Sequence, residues 1–93
     1  MIAVDTSVLV YAHREDSVHH ETALAALGAL TAQAAPWALP MQCLVEFVGI
    51  VTHPRVYAPP TPLETAIEAA DALVALDTVR VLCEGPGDWP VVV

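Results

Sequence analysis

The sequence has 93 residues, 56% of them apolar and 15% charged, enough for one small domain that buries about two-thirds of the surface its unfolded chain exposes. This composition excludes a disordered chain, and no apolar run approaches the roughly 20 residues needed to cross a bilayer. The net charge of −8, eleven acids against Arg14, Arg55 and Arg80 with no lysine, argues against tight nucleic-acid binding through phosphate neutralisation; it is compatible with a divalent cation that meets phosphate, or with a basic partner.

Residues 2–5, "IAVD", read as a short, fully buried strand, and residues 6–14 as a turn into a short helix. Asp5 interrupts the apolar opening and no basic residue precedes it, so the opening does not read as a signal peptide and a cytoplasmic protein is expected. Asp16 or Ser17 can cap a second helix that runs to about Ala34, with Ala23, Leu27, Leu30 and Ala34 at helical spacing. "PWALP" (36–40) suggests a brief extended segment. Residues 41–53 read as a third helix stopped by Pro54.

Thr61, Pro62 and Glu64 form a helix-start signal: N-cap, first helical position and capping box. The fourth helix should reach about Leu76, with Leu63, Ile67, Ala70 and Val74 inward and Glu64, Glu68 and Asp71 in solvent. Residues 79–82 read as a second buried strand and "EGPGDWP" (84–90) as a loop. Strand, helices, strand implies an α/β layout with parallel pairing. Cys43 and Cys83 lack metal-type spacing and are expected to be small buried apolar residues, without zinc.

Asp5 ends the first strand, on the sheet edge where ligand sites of α/β folds collect. Two readings are open: a carboxylate for chemistry, or a cap for the following helix. On the third helix Gln42, Glu46, Gly49 and His53 share one face, and nearly every other position is apolar. Such a helix is expected to be largely buried, its polar strip facing either solvent or a cleft. The four histidines, His13, His19, His20 and His53, read as ordinary surface residues. If Asp5 and Glu46 converge, two ionised carboxylates about 4 Å apart repel by roughly 4 kcal/mol at an effective dielectric near 20. A proton or a cation must then intervene. Hard oxygen ligands favour Mg2+ or Mn2+, and such an ion completes its shell with water and substrate phosphate.

"MIAVDTSVLVYAHRED", "PWALPMQCLVEFVGIVTHPRVY" and "PPTPLETA" resemble, in order, segments of PIN-domain proteins, specifically VapC-type toxins of bacterial toxin–antitoxin systems. The resemblance covers essentially residues 1–89. It implies a PIN-like three-layer α/β fold, here incomplete with about two strands and four helices. It implies that Asp5 and Glu46 are catalytic and hold Mg2+ or Mn2+, with Ser7, two residues after the first acid, as a supporting group; Thr6 and Ser7, which begin the helix, can fix the carboxylate or a bound water through their amides and hydroxyls. It further implies an endoribonuclease acting on RNA such as tRNA, a VapB-type antitoxin partner and a common homodimeric state.

Family members continue further and supply a third and usually a fourth acid. Glu64, Glu68, Asp71, Asp77, Glu84 and Asp88 do not sit in the family's contexts, so no role passes to them. The expectation is therefore a single PIN-like domain over residues 1–93, truncated at its carboxyl end and weakened or inactive as a nuclease. The competing expectation is a non-catalytic remnant or decoy that binds the antitoxin through the apolar faces of its first helices. A haloacid-dehalogenase-like phosphatase would need a second Asp where Ser7 stands, and no Gly-rich run with Lys exists for a P-loop.

Overall fold

In the computed structural model of the chain, which describes residues 2–83 and 91–92, the apolar opening forms β1 (Ala3–Val4) and runs through Asp5 directly into α1 (Thr6–His13). There follow α2 (His20–Ala32), β2 (Trp37–Pro40), α3 (Met41–Val51), α4 (Leu63–Val74), β3 (Val79–Leu82) and β4 (Val91–Val92). The strands pair in the order β3-β2-β1-β4 and every pairing is parallel. Ala3 stands opposite Ala38 and Val91, and Trp37 opposite Val79. The α/β architecture, the parallel sheet and the four helices are as expected.

The strand count exceeds the expected two. "PWALP" holds β2, a strand paired on both sides, with all four residues buried. Prolines normally argue against an inner strand because they remove a ladder donor. Here Pro36 precedes the strand and Pro40 is its last residue, so the donors that matter remain. The Trp37 amide bonds the Thr78 carbonyl at 2.8 Å and the Ala38 amide bonds the Ile2 carbonyl at 2.6 Å. The indole of Trp37, 1% exposed, donates through Nε1 to Thr78 Oγ1 at 3.0 Å, which satisfies its polar atom inside the core. The valines of β4 lie beside β1. The expected loop over residues 84–90, with Glu84 and Asp88, lies outside the described residues.

Helix ends depart from the sequence signals. Neither Asp16 nor Ser17 is the N-cap of α2: the helix starts at His20 with His19 before it and no side-chain cap bond. Asp16 is instead paired with Arg14 at 2.6 Å, and Ser17 Oγ accepts the His19 amide at 3.1 Å in a turn. Helix α2 ends at Ala32, two residues short of Ala34, and α3 ends at Val51, two short of His53. Helix α4 starts at Leu63 with Pro62 before it and no cap bond. Thr61, the expected cap, is buried and its hydroxyl is used elsewhere.

Helix α4 also buries a different stripe. Ala66 is buried, with Ala69, Ala70 and Leu73 packed against the core, while Leu63, Ile67 and Val74 are exposed. Small alanines on that side permit close approach, and the acids Glu64, Glu68 and Asp71 face solvent as expected. In α3 the buried residues Leu44, Phe47 and Val51 form one stripe. The helix is less enclosed than its composition implies, because Met41 and Val45 are exposed. Cys83 is exposed rather than buried, and both cysteines are free thiols.

The core gathers Val4, Leu9, Trp37, Leu39, Phe47 and Val51 from the sheet, α1 and α3. Helix α1 packs on α2 and α3, and α3 on α4. Among the described residues no helix is long and apolar enough to cross a membrane.

Candidate active site

Two carboxylates meet hydroxyls of one helical turn. Asp5 follows β1 and occupies the N-cap position of α1 in extended conformation, φ −82° and ψ 158°, but its side chain makes no capping bond. Its Oδ2 instead accepts the Ser7 hydroxyl at 3.0 Å. The capping alternative is thus not what the geometry contains. Glu46 lies on the exposed strip of α3, and its Oε1 accepts the Thr6 hydroxyl at 3.1 Å. Consecutive hydroxyls, Thr6 and Ser7, hold one acid each and link the end of β1 to the middle of α3.

The placement follows from the local sequence. The apolar run of α1 (Val8, Leu9, Val10) is buried and locks its first turn at the carboxyl edge of the sheet. Leu44 and Phe47 anchor α3 on either side of Glu46. Gln42, Gly49 and His53, the other members of the polar strip, are exposed. Among the described residues no three acids, histidines or cysteines cluster closely enough to form a metal site by themselves. Asp5 and Glu46 each offer hard carboxylate oxygens, the donor type that suits a hard divalent cation rather than a soft metal.

A second polar cluster had no sequence signal beyond the individual residues. The Thr61 hydroxyl lies 3.1 Å from His13 Nε2 and 3.2 Å from Arg14 NH1, joining the end of α1 to the entry of α4. Arg14 donates to that oxygen, and the hydroxyl also bonds the His13 ring nitrogen. The His13 ring also meets Phe47 edge-on at 5.3 Å. Burial, and secondarily the neighbouring Arg14 charge, push His13 below its ordinary pKa of 6.5. Arg14 additionally lies 4.3 Å over the Tyr57 ring and donates to both Asp16 oxygens. His20 Nδ1 donates to the Tyr11 carbonyl at 2.9 Å. Expecting His13 and His20 to be ordinary surface residues was thus incorrect: both tie α1 to another segment.

The PIN-domain family profile matches residues 2–92. The chain belongs to the PIN-domain family. Curated relatives point the same way within it. A VapC ribonuclease of Mycobacterium bovis and the ribonuclease VapC43 of two Mycobacterium tuberculosis strains are each 38% identical over 89 residues. Those matches cover 96% of this chain and 60% of each relative. This PIN chain thus spans about 60% of the length of the curated relatives it matches. The similarity runs through the strand end that carries Asp5 and the helix that carries Glu46, so the acidic pair lies inside the matched region.

Proposed function

We propose that this PIN domain carries the acidic pair of a VapC-type, Mg2+- or Mn2+-dependent endoribonuclease that acts in the cytoplasm, cuts RNA such as tRNA and is restrained by a VapB-type antitoxin. The observation that carries the reading is the double tether: consecutive hydroxyls of one helical turn bond two carboxylates, Ser7 to Asp5 and Thr6 to Glu46. The relatives named as VapC ribonucleases support the reaction class.

Asp5 and Glu46 would hold the ion, whose contribution is Lewis-acid polarisation of a phosphodiester oxygen and a bound water of lowered pKa. The chain's own residues do the positioning. A carboxylate offers about four lone-pair sites, so the single hydroxyl bond on each leaves capacity for a ligand. The same bonds hold the two side chains in place before an ion arrives, so little rotamer freedom is lost on binding. Positions that the carboxylates leave open fall to water and to phosphate oxygens, which makes ion and RNA binding mutually supporting.

RNA cleavage with Mg2+ or Mn2+ tests the proposal. Asp5→Asn should lower the metal-dependent rate by at least about a hundredfold, because an anionic ligand is lost. Cleavage of ordinary strength that ignores the substitution would refute it.

A second reading, a non-catalytic module that binds the antitoxin, has one observation in its favour. An apolar cleft of about 310 Å3 lies where α2 and α4 flank α1, lined among others by Leu24, Leu27, Phe47, Leu73 and Leu76. Co-purification with an antitoxin, combined with no metal-dependent shift in melting, would favour that reading over the nuclease.

A further inference from the structure

Beside the acidic pair lies a second, smaller cavity that ion binding does not use. It opens between α1 and α2 with a volume of about 220 Å3. Its walls include Ser7, Tyr11, His19 and Thr22, with Val8 and Ala23 as an apolar floor. We infer that this cavity is a nucleobase subsite, which takes one unpaired base of the RNA strand against Tyr11 and His19 while the adjoining phosphate lies at Asp5 and Glu46. The inference rests on the ribonuclease reading and adds to it how the substrate strand is gripped.

Position comes first. Ser7 belongs to both places: its hydroxyl bonds Asp5 Oδ2 and its side chain lines the cavity. Tyr11 follows one turn later on the same helix, about 6 Å further along the axis. A strand whose phosphate is held by the acids therefore has the cavity within reach of a neighbouring base.

The lining suits a planar ring system. The Tyr11 and His19 rings lie 4.9 Å apart between centroids, inclined at 48°. Tyr11 is half-buried, and its own carbonyl is held by His20 at 2.9 Å, which pins the start of α2 to α1. The backbone that carries Tyr11 is thus held before a base arrives, and its half-buried ring offers a face for stacking. The Thr22 and Ser7 hydroxyls add hydrogen-bonding groups at the rim. An aliphatic side chain from a protein partner is better matched by the larger cleft beside α4, which Leu24, Leu27 and Leu73 line.

Charge favours a contribution from stacking. Arg14 is engaged by Asp16 and Thr61, and Arg80 by the carbonyls of Asp77 and Val79. With three arginines, no lysine and a net charge of −8, this chain has little with which to neutralise phosphates. Base stacking is the contribution to RNA affinity that does not need positive charge.

The test separates the subsite from the nuclease chemistry. Titration of the isotope-labelled chain with each of the four nucleoside 5′-monophosphates should shift the resonances of Tyr11, His19 and Thr22. Tyr11→Leu and His19→Ala should weaken that binding by about tenfold each, the scale of losing one aromatic stacking partner, whereas Tyr11→Phe should retain it. In Mg2+-dependent cleavage of single-stranded RNA, Tyr11→Leu should raise KM far more than it lowers kcat. An abasic site beside the cleaved phosphate should reduce wild-type cleavage but not that of the Tyr11→Leu variant. Nucleotide shifts at Tyr11 and His19 that persist in Asp5→Asn, even if no cleavage is seen, would uphold the subsite independently of the nuclease. Absence of those shifts, or shifts unchanged in both Tyr11→Leu and His19→Ala, would overturn it, whether or not the chain cleaves RNA.

Discussion

Thr6 and Glu46 are forty positions apart in the chain and are joined by a 3.1 Å hydrogen bond from hydroxyl to carboxylate. The bond is exposed, so its contribution to stability is small, at most about 1 kcal/mol. Its consequence is positional. Together with the neighbouring bond from Ser7 to Asp5 it brings an acid at a strand end and an acid on a helix to the same turn of α1.

Removing that bond should therefore affect the site more than the fold. Thr6→Val is expected to change the free energy of unfolding by less than about 1 kcal/mol in urea titrations. Metal affinity or metal-dependent activity should fall about 10- to 100-fold, the usual range for losing a group that orients a ligand. Thr6→Ser should keep both near wild type. Equal losses for Val and Ser would mean that the hydroxyl does not position Glu46.

Thr61 predicts the opposite balance. Its hydroxyl is buried at the junction of α1 and α4 and meets His13 and Arg14 together. Thr61→Val keeps the shape but leaves those groups short of a partner, at a cost of about 1–3 kcal/mol in urea denaturation. Metal binding by the folded variant should be unchanged.

His13 makes stability depend on pH. Its folded-state pKa lies below the ordinary 6.5, through burial first and Arg14 second. Below 6.5 the unfolded chain binds the proton more readily than the folded one, so stability rises with pH across that window. The contribution is fully present above about 6.5 and is lost as pH falls through the lowered folded value. Melting temperatures from pH 7.5 to 5 should decline more steeply for the wild type than for His13→Gln, and parallel slopes would contradict the assignment.

The meeting of Asp5 and Glu46 with the start of α1 was legible because two acids interrupt apolar runs. Asp5 closes a buried strand, and Glu46 is the lone acid of an otherwise apolar helix, so both had to emerge at an edge of the core. Strand β2 was harder to read, since one proline precedes it and another ends it, and only the ladder shows that neither withholds a needed donor. The α4 stripe was displaced because Ala66 and Ala69 pack closely where Leu63 and Ile67 were the more apolar choice. Thr61 had the local pattern of a cap, but a contact 48 residues away claimed its hydroxyl. Competition of this kind is tertiary, and no window of neighbouring residues contains it.

The acidic pair as an ion site is tested most directly by Mn2+, whose unpaired electrons broaden the resonances of nearby nuclei. Titrating the labelled chain with substoichiometric Mn2+ should broaden the amides of Asp5, Thr6, Ser7 and Glu46 first, and the doubly substituted Asp5→Asn, Glu46→Gln chain should lose that effect. Broadening centred instead on the exposed acids of α4, with the amides of residues 5–7 and 46 left sharp, would contradict it.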